Sequence, residues 1–330
     1  MPVVVFSIEV NGQDITSKVA SRLLDMVVTD GVGLKSDTLQ LTLDDKDGQI
    51  QSPKTGAKIR AKGGYQDKQR DFGEFVVDNV EYEGWPQRIS ISAQSVDAKG
   101  KAKEREPKGF PKKTHPTYGK IFEEIAGKLN LSLSMLSDLK GLVSPGEFQA
   151  EENGLEFLSR IAEKIGASVS VKSGRLVVVP AGKGKSASGK ELGGVAVAPG
   201  LNLISYSTSH KDSSRYKQVE ASYYDRKKNE RIPIIWDTGM EGPKFTLRSP
   251  FADEEEAKKA AKAKADDLVR AQATATFTID GDPYALAESL VNVSGVRPGV
   301  DGKWRATSVV HNFSATAPYT TELQCEVPTE

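Results

Sequence analysis

The chain has 330 residues, enough for two or three domains at about 150 residues each. Lys+Arg and Asp+Glu number 45 each, so the net charge is zero and no overall field draws the chain to nucleic acid or to an anionic membrane. A single cysteine, Cys325, excludes an intramolecular disulfide and a thiolate metal cluster, and no apolar run approaches the roughly 20 residues of a membrane span.

Residues 1–10 hold a short apolar run with no basic start and no cleavage-type ending, so no signal peptide is expected. Apolar and polar residues then alternate over 38–43, 75–82 and 88–93, which predicts strands. Turns are predicted at Asn11-Gly12, Asp47-Gly48, Gly63-Gly64 and Gly84-Trp85-Pro86. Short strands so punctuated point to an antiparallel sandwich or barrel. Residues 99–113 carry seven Lys or Arg with Pro107, Gly109 and Pro111 among them, and read as a solvated linker; a nucleic-acid arm would need aromatic stacking partners that are nearly lacking there.

Helical periodicity follows. Ile121, Phe122, Ile125, Ala126 and Leu129 make one apolar stripe, and Leu155, Leu158, Ile161, Ala162 and Ile165 another that stops at Gly166. Phe157, Leu158, Ile161 and Ile165 are expected in a small helical core and not around a ligand. A hairpin is predicted from 167–171 and 175–179, and 181–194 reads as a flexible Gly/Lys/Ser segment. Strands at 201–209, 218–224 and 232–236 precede a charged helix at 252–270, which reads as a solvated face.

Chemical motifs fail on inspection. Gly184 to Lys190 has the glycine and lysine spacing of a phosphate loop, but Glu191 stands where a magnesium-binding hydroxyl is needed. Asp45-Lys46-Asp47-Gly48 would be part of a calcium loop only if Leu43 and Lys54 were carboxylates. His115, His210 and His311 are not in metal-ligand spacing, and no serine sits in a Gly-x-Ser-x-Gly elbow. No catalytic residue, cofactor or metal is expected.

The chain also repeats itself. Residues 73–82 recur as 302–311, matching Gly73 with Gly302, Phe75 with Trp304, Val77 with Ala306 and Val80 with Val309, and placing His311 opposite Tyr82. The stretches 56–61 and 288–293 match upstream, and alternating strands at 88–92 and 321–325 follow downstream. Two like β units in one chain predict a ring with twice as many lobes as subunits; the alternative is two unrelated meanders that share generic strand grammar.

Residues 149–163 resemble the helix motif of late control D and VgrG-like proteins, the baseplate hubs of contractile phage tails and related injection machines. Gln149, Glu152, Phe157, Leu158, Arg160 and Ala162 match, while Asn153-Gly154 replaces Ser-Asp and leaves a competent helix N-cap. Stretches 10–16, 37–45 and 304–311 followed by 319–323 resemble the same family, with Pro318 where its pattern has glycine. The resemblance covers most of the chain and is closest to the late control D branch. It implies a mainly β, α+β fold: two tail-tube-like antiparallel β-barrel or sandwich domains at 1–98 and 200–330, the second with one helix. Between them, 99–199 would hold the basic linker, a small helical α/β insert and the flexible segment. It further implies a structural homotrimer in the virion tail baseplate, synthesised in the bacterial host cytoplasm. Its partners would be the tail tube protein, a separate trimeric spike and other baseplate proteins, with no sequence-specific nucleic acid. A tail-associated peptidoglycan hydrolase is the alternative; a tube subunit needs only one β unit.

Overall fold

The computed structural model describes residues 2–33, 37–95, 104–172, 174–184, 186–212, 215–226 and 228–329. The chain is mainly β, with antiparallel sheets. Its first strand set comprises β1 (Val4–Val10), β2 (Gln13–Asp14), a one-turn α1 (Thr16–Val19), β3 (Leu23–Gly31), β4 (Thr38–Asp44), β5 (Lys58–Tyr65), β6 (Lys68–Glu83) and β7 (Arg88–Gln94). They lie side by side as β3-β4-β7-β6-β5-β1-β2. Period-two alternation sends Leu39, Leu41 and Leu43 of β4 and Ile89, Ile91 and Ala93 of β7 to one buried face, where they meet Ile59 and Phe75.

The middle of the chain contains β8 (Lys108–Phe110), α2 (Tyr118–Lys128), β9 (Ser132–Met135), α3 (Ser137–Lys140), β10 (Glu147–Gln149), α4 (Gly154–Lys164), β11 (Ala167–Lys172) and β12 (Arg175–Pro180). The two helical stripes pack together over the sheet of β9, β11 and β12. One expectation is corrected here. The end of the basic stretch is not a solvated linker, because β8 pairs with β10 and Phe110 is fully buried, stacked on Phe157 at 5.1 Å between ring centres. Its start, 96–103, lies outside the described residues, as do Ser173 of the hairpin turn and Lys185 of the glycine-rich stretch.

The second strand set consists of β13 (Val195–Val197), β14 (Leu203–His210), then an excursion, then β18 (Ala273–Asp280), β19 (Leu290–Val293), β20 (Gly302–Ser314) and β21 (Thr320–Glu326). The excursion holds β15 (Gln218–Asp225), β16 (Glu230–Asp237) and β17 (Lys244–Thr246) in a separate sheet under α5 (Glu254–Arg270). The helix differs from its sequence reading: Ala257, Ala261, Ala265 and Leu268 are buried against that sheet. Alanine carries no bulk to announce a core face, yet its small side chain lets a helix approach a sheet closely.

The two sets share strand order and register. In the first, β3-β4-β7-β6-β5-β1 are neighbours; in the second, β14-β18-β21-β20-β19-β13. Ile59 faces Phe75 and Ala61 faces Gly73, as Val291 faces Trp304 and Val293 faces Gly302. The ladder slips between Val77 and Asn79 in one set and between Ala306 and Ser308 in the other. It slips again between Leu23 and Asp25, and between Leu203 and Ser205. Repeated bulges are features of a fold, not accidents. Gly73 and Gly302 both have positive φ, +99° and +132°, which a residue with a Cβ rarely adopts. Ile91 opposes Val80 as Leu323 opposes Val309, so Arg88 corresponds to Thr320, one residue earlier than a position-for-position match of 88–92 with 321–325. One strand differs: β1 is antiparallel to β5, whereas β13 is parallel to β19.

Candidate assembly interface

The two sets join edge to edge. Ser308 to Ser314 of β20 pair antiparallel with Gly31 to Asp25 of β3, which merges both sets into one sheet of thirteen strands among the described residues. Side chains cross the seam with the backbone. Phe313 and Tyr319, from the second set, stack at 4.2 Å and belong to the core of the first. Gly63 and Gly64 do not form the predicted turn but lie within β5, where Gly63 makes room for the Phe313 ring, since a Cβ there would lie 2.6 Å from it. His311 is fully buried, 5.0 Å from the Phe72 ring between centres, with its Nδ1 2.9 Å from the Tyr319 hydroxyl. Burial, followed by the nearby Arg70 charge, pushes its pKa down to about 3, so the ring is neutral packing.

A buried ionic node holds the seam to the middle of the chain. Asp30 of β3 accepts from Lys172 of β11, from the Arg70 guanidinium of β6 at 3.4 Å and from the Ala287 backbone N–H at 3.3 Å. Arg70 also donates to the Ala285 carbonyl at 2.9 Å. Burial alone would raise the Asp30 pKa, but Lys172 and Arg70 overcome it and hold the carboxyl below its ordinary value. One sequence signal marks the node: Asp30 continues the buried series Met26, Val28, so an acid sits in an apolar register.

Asp37 lies on the rim of this node, 4.0 Å from Lys172, and accepts from the Gly31 N–H at 3.2 Å. Burial dominates there and raises its pKa from 3.8 to about 6. Between those values the folded chain binds a proton that the unfolded chain has lost, so this group's contribution makes stability fall as pH rises through the window. Asp37→Asn is therefore expected to be more stable than the parent above pH 6, by on the order of 1–3 kcal/mol. The gain should fade below about pH 4. Urea unfolding at the two pH values checks both the sign and its disappearance.

The motif at 149–163 makes a self-contained latch. The Asn153 side chain accepts from the Leu155 and Glu156 N–H groups at 3.0 Å each, and Glu156 accepts from the Asn153 N–H at 3.0 Å, a reciprocal cap on α4. Buried Gln149 donates to the Glu152 carbonyl at 2.8 Å. Arg160 donates to the Glu152 carboxylate at 2.6 Å and to the Phe148 carbonyl at 2.9 Å. Phe157 and Leu158 point into the helical core. Asn153→Ala should cost about 1 kcal/mol in thermal or denaturant unfolding, and Asn153→Ser should restore most of it.

No family model matches the chain. A probable baseplate hub protein of Escherichia phage P2 is 29% identical over 367 aligned positions, which take in 98% of this chain and 92% of the relative. That of Escherichia phage 186 is 28% identical over 363 positions, with the same coverage. This chain resembles phage baseplate hub proteins. The 43 kDa tail protein of prophage MuSo2 from Shewanella oneidensis shares the fold, with a TM-score of 0.75 at 14% identity, covering 98% of each chain.

Phe75 and Trp304 are core residues of their own sets, and the Trp304 indole donates to the Val300 carbonyl at 2.8 Å. A cleft of about 350 Å³ lies where α4, α5 and the β20–β21 ends meet. Its Asp267 and Glu326 are engaged by Arg270, and Glu326 also by Arg305. His115 and His210 face Glu124 and the Gly299 carbonyl, at 2.7 Å and 3.1 Å. Among the described residues no group of three or more His, Cys, Asp or Glu is placed to hold a metal, and no helix is long and apolar enough to cross a membrane.

Proposed function

We propose that this chain is a non-catalytic baseplate hub, three copies of which adapt a sixfold tail tube to a threefold spike. Residues 1–98 and 200–330 act in this reading as two tube-like domains, with 99–199 as the insert between them. The observation that carries it is the repeat: one strand order, register and pair of bulges occurring twice in a chain. The naming of the P2 and 186 relatives supports the same reading. Mechanistically, a duplicated fold meets six equivalent partners through six similar surfaces and three partners through whole subunits. The Asp30 node then has a purpose, since a rigid relation between the two sets lets all six surfaces lie on one ring.

Light scattering tests the stoichiometry. Three chains of 35.7 kDa should give about 107 kDa, to which the mass of three spike chains is added when the spike protein is bound. A complex with the spike at any ratio other than three to three, or a closed hexamer of the chain, would overturn the proposal.

A further inference from the structure

Strand β14 is a sheet edge: its one described neighbour is β18, and six of its eight residues are exposed. A second edge is open in the first set. Beyond Val77, β6 pairs with β7 on one side, while the β5 side carries no described strand. Unpaired edges of this length are rows of unused donors and acceptors that template another strand.

The seam supplies the geometry of what belongs there. The repeat maps β3 onto β14 and β6 onto β20, and β3 is closed by the C-terminal half of β20. We infer that β14 of one copy pairs antiparallel with the C-terminal half of β6 in a second copy, an inference that rests on the hub reading and specifies its subunit contact. Carrying the β20–β3 register through the repeat sets Asn79 against Lys211, Val80 against His210, Glu81 against Ser209 and Tyr82 against Thr208.

Burial at matched positions supports this assignment. Met26 and His311 are 0% exposed inside the seam, whereas their counterparts Tyr206 and Tyr82 are 43% and 66% exposed. Ile204 and Trp85 extend the same two bare edges. The aromatic and aliphatic side chains left uncovered on the sheet thus include those that the seam buries in its other copy. Charge agrees as well: Glu81 falls diagonal to Lys211 on one face, a favourable cross-strand relation. Each copy offers one edge of each kind, so contacts run head to tail and form a ring when the rotation between copies closes, after three copies if the six strand sets make up the ring.

Cross-linking decides the point. Opposed residues of an antiparallel pair lie within disulfide reach, and a one-residue slip moves a side chain to the other face. The full-length double variant Tyr82→Cys/Thr208→Cys, oxidised at high protein concentration, should give covalent dimers and trimers and nothing larger on a non-reducing gel. Each single variant sets the background from buried Cys325. The slipped pair Glu81→Cys/Thr208→Cys should stay at that background. Both exchanged side chains of the in-register pair lie on sheet edges, so folding should survive. A trimer by light scattering with no in-register cross-link overturns this pairing and leaves the hub reading standing. Equal cross-linking of the slipped pair, or no cross-link together with no association, also overturns it. A ladder running past three overturns ring closure and the hub reading with it.

Discussion

Asp30→Ala is expected to destabilise the protein by about 3–5 kcal/mol, because it leaves the Lys172 ammonium and the Arg70 guanidinium in a largely enclosed site without their acid. The loss comes from stranded charge more than from the net worth of the pairs, which a second variant separates. Asp30→Leu combined with Lys172→Met replaces the closest pair by apolar volume and should recover much of the loss, as buried ion pairs often do. Acid should reproduce part of the effect. The folded Asp30 pKa is held below 3.8, so its contribution is complete above that value and is lost as pH falls through the folded one. Urea unfolding of the two variants checks the claim. A single Asp30→Ala within about 1 kcal/mol of the parent would mean that the node does not hold the seam.

Phe157→Ala is the second large change, again about 3–5 kcal/mol. The ring is fully buried, stacks on Phe110 and carries the Arg160 guanidinium 5.2 Å above it. Removing it empties the contact between α4 and β8, and the flanking Ile121, Leu158 and Ile161 are already packed, so collapse into the gap is limited. Phe157→Leu keeps most of the volume and should cost less than half as much. Because this core is separate from those of the strand sets, the loss should appear first in hydrogen exchange of α2 and α4. Unchanged stability on truncation would place Phe157 outside the core.

Much of the fold was legible in the chain itself. Alternation at 38–43 and 88–93 located β4 and β7, since period two is a local property of a half-buried strand. The N-cap of α4 was legible for the same reason: Asn153 satisfies backbone groups within one helical turn, while the reciprocal cap by Glu156 appeared only in the structure. The repeat could be read because Gly73 and Gly302 answer one backbone demand, and Phe75 and Trp304 one packing demand, twice. Reading failed where a residue's role depended on a distant partner. Phe110 sat in a basic stretch and gave no sign of its stack on Phe157, 47 positions on. The buried face of α5 is made of alanines, which hydropathy patterns barely register.

Sequence alone therefore determined several of the elements, the helix N-cap and the duplication, all of which are set by neighbours along the chain or by likeness between two stretches. Tertiary structure alone decided the union of the two strand sets. Which strand lies against the free edge of β3 is a matter of backbone hydrogen bonds, and every strand carries the same donors and acceptors whatever its side chains. Only when β20 arrives do Phe313, Tyr319 and His311 enter the first core, and only the folded chain brings Asp30, an acid on an apolar face, to Arg70 of β6 and Lys172 of β11. That same backbone generality is why the bare edges of β14 and β6 can be expected to meet in a neighbouring copy.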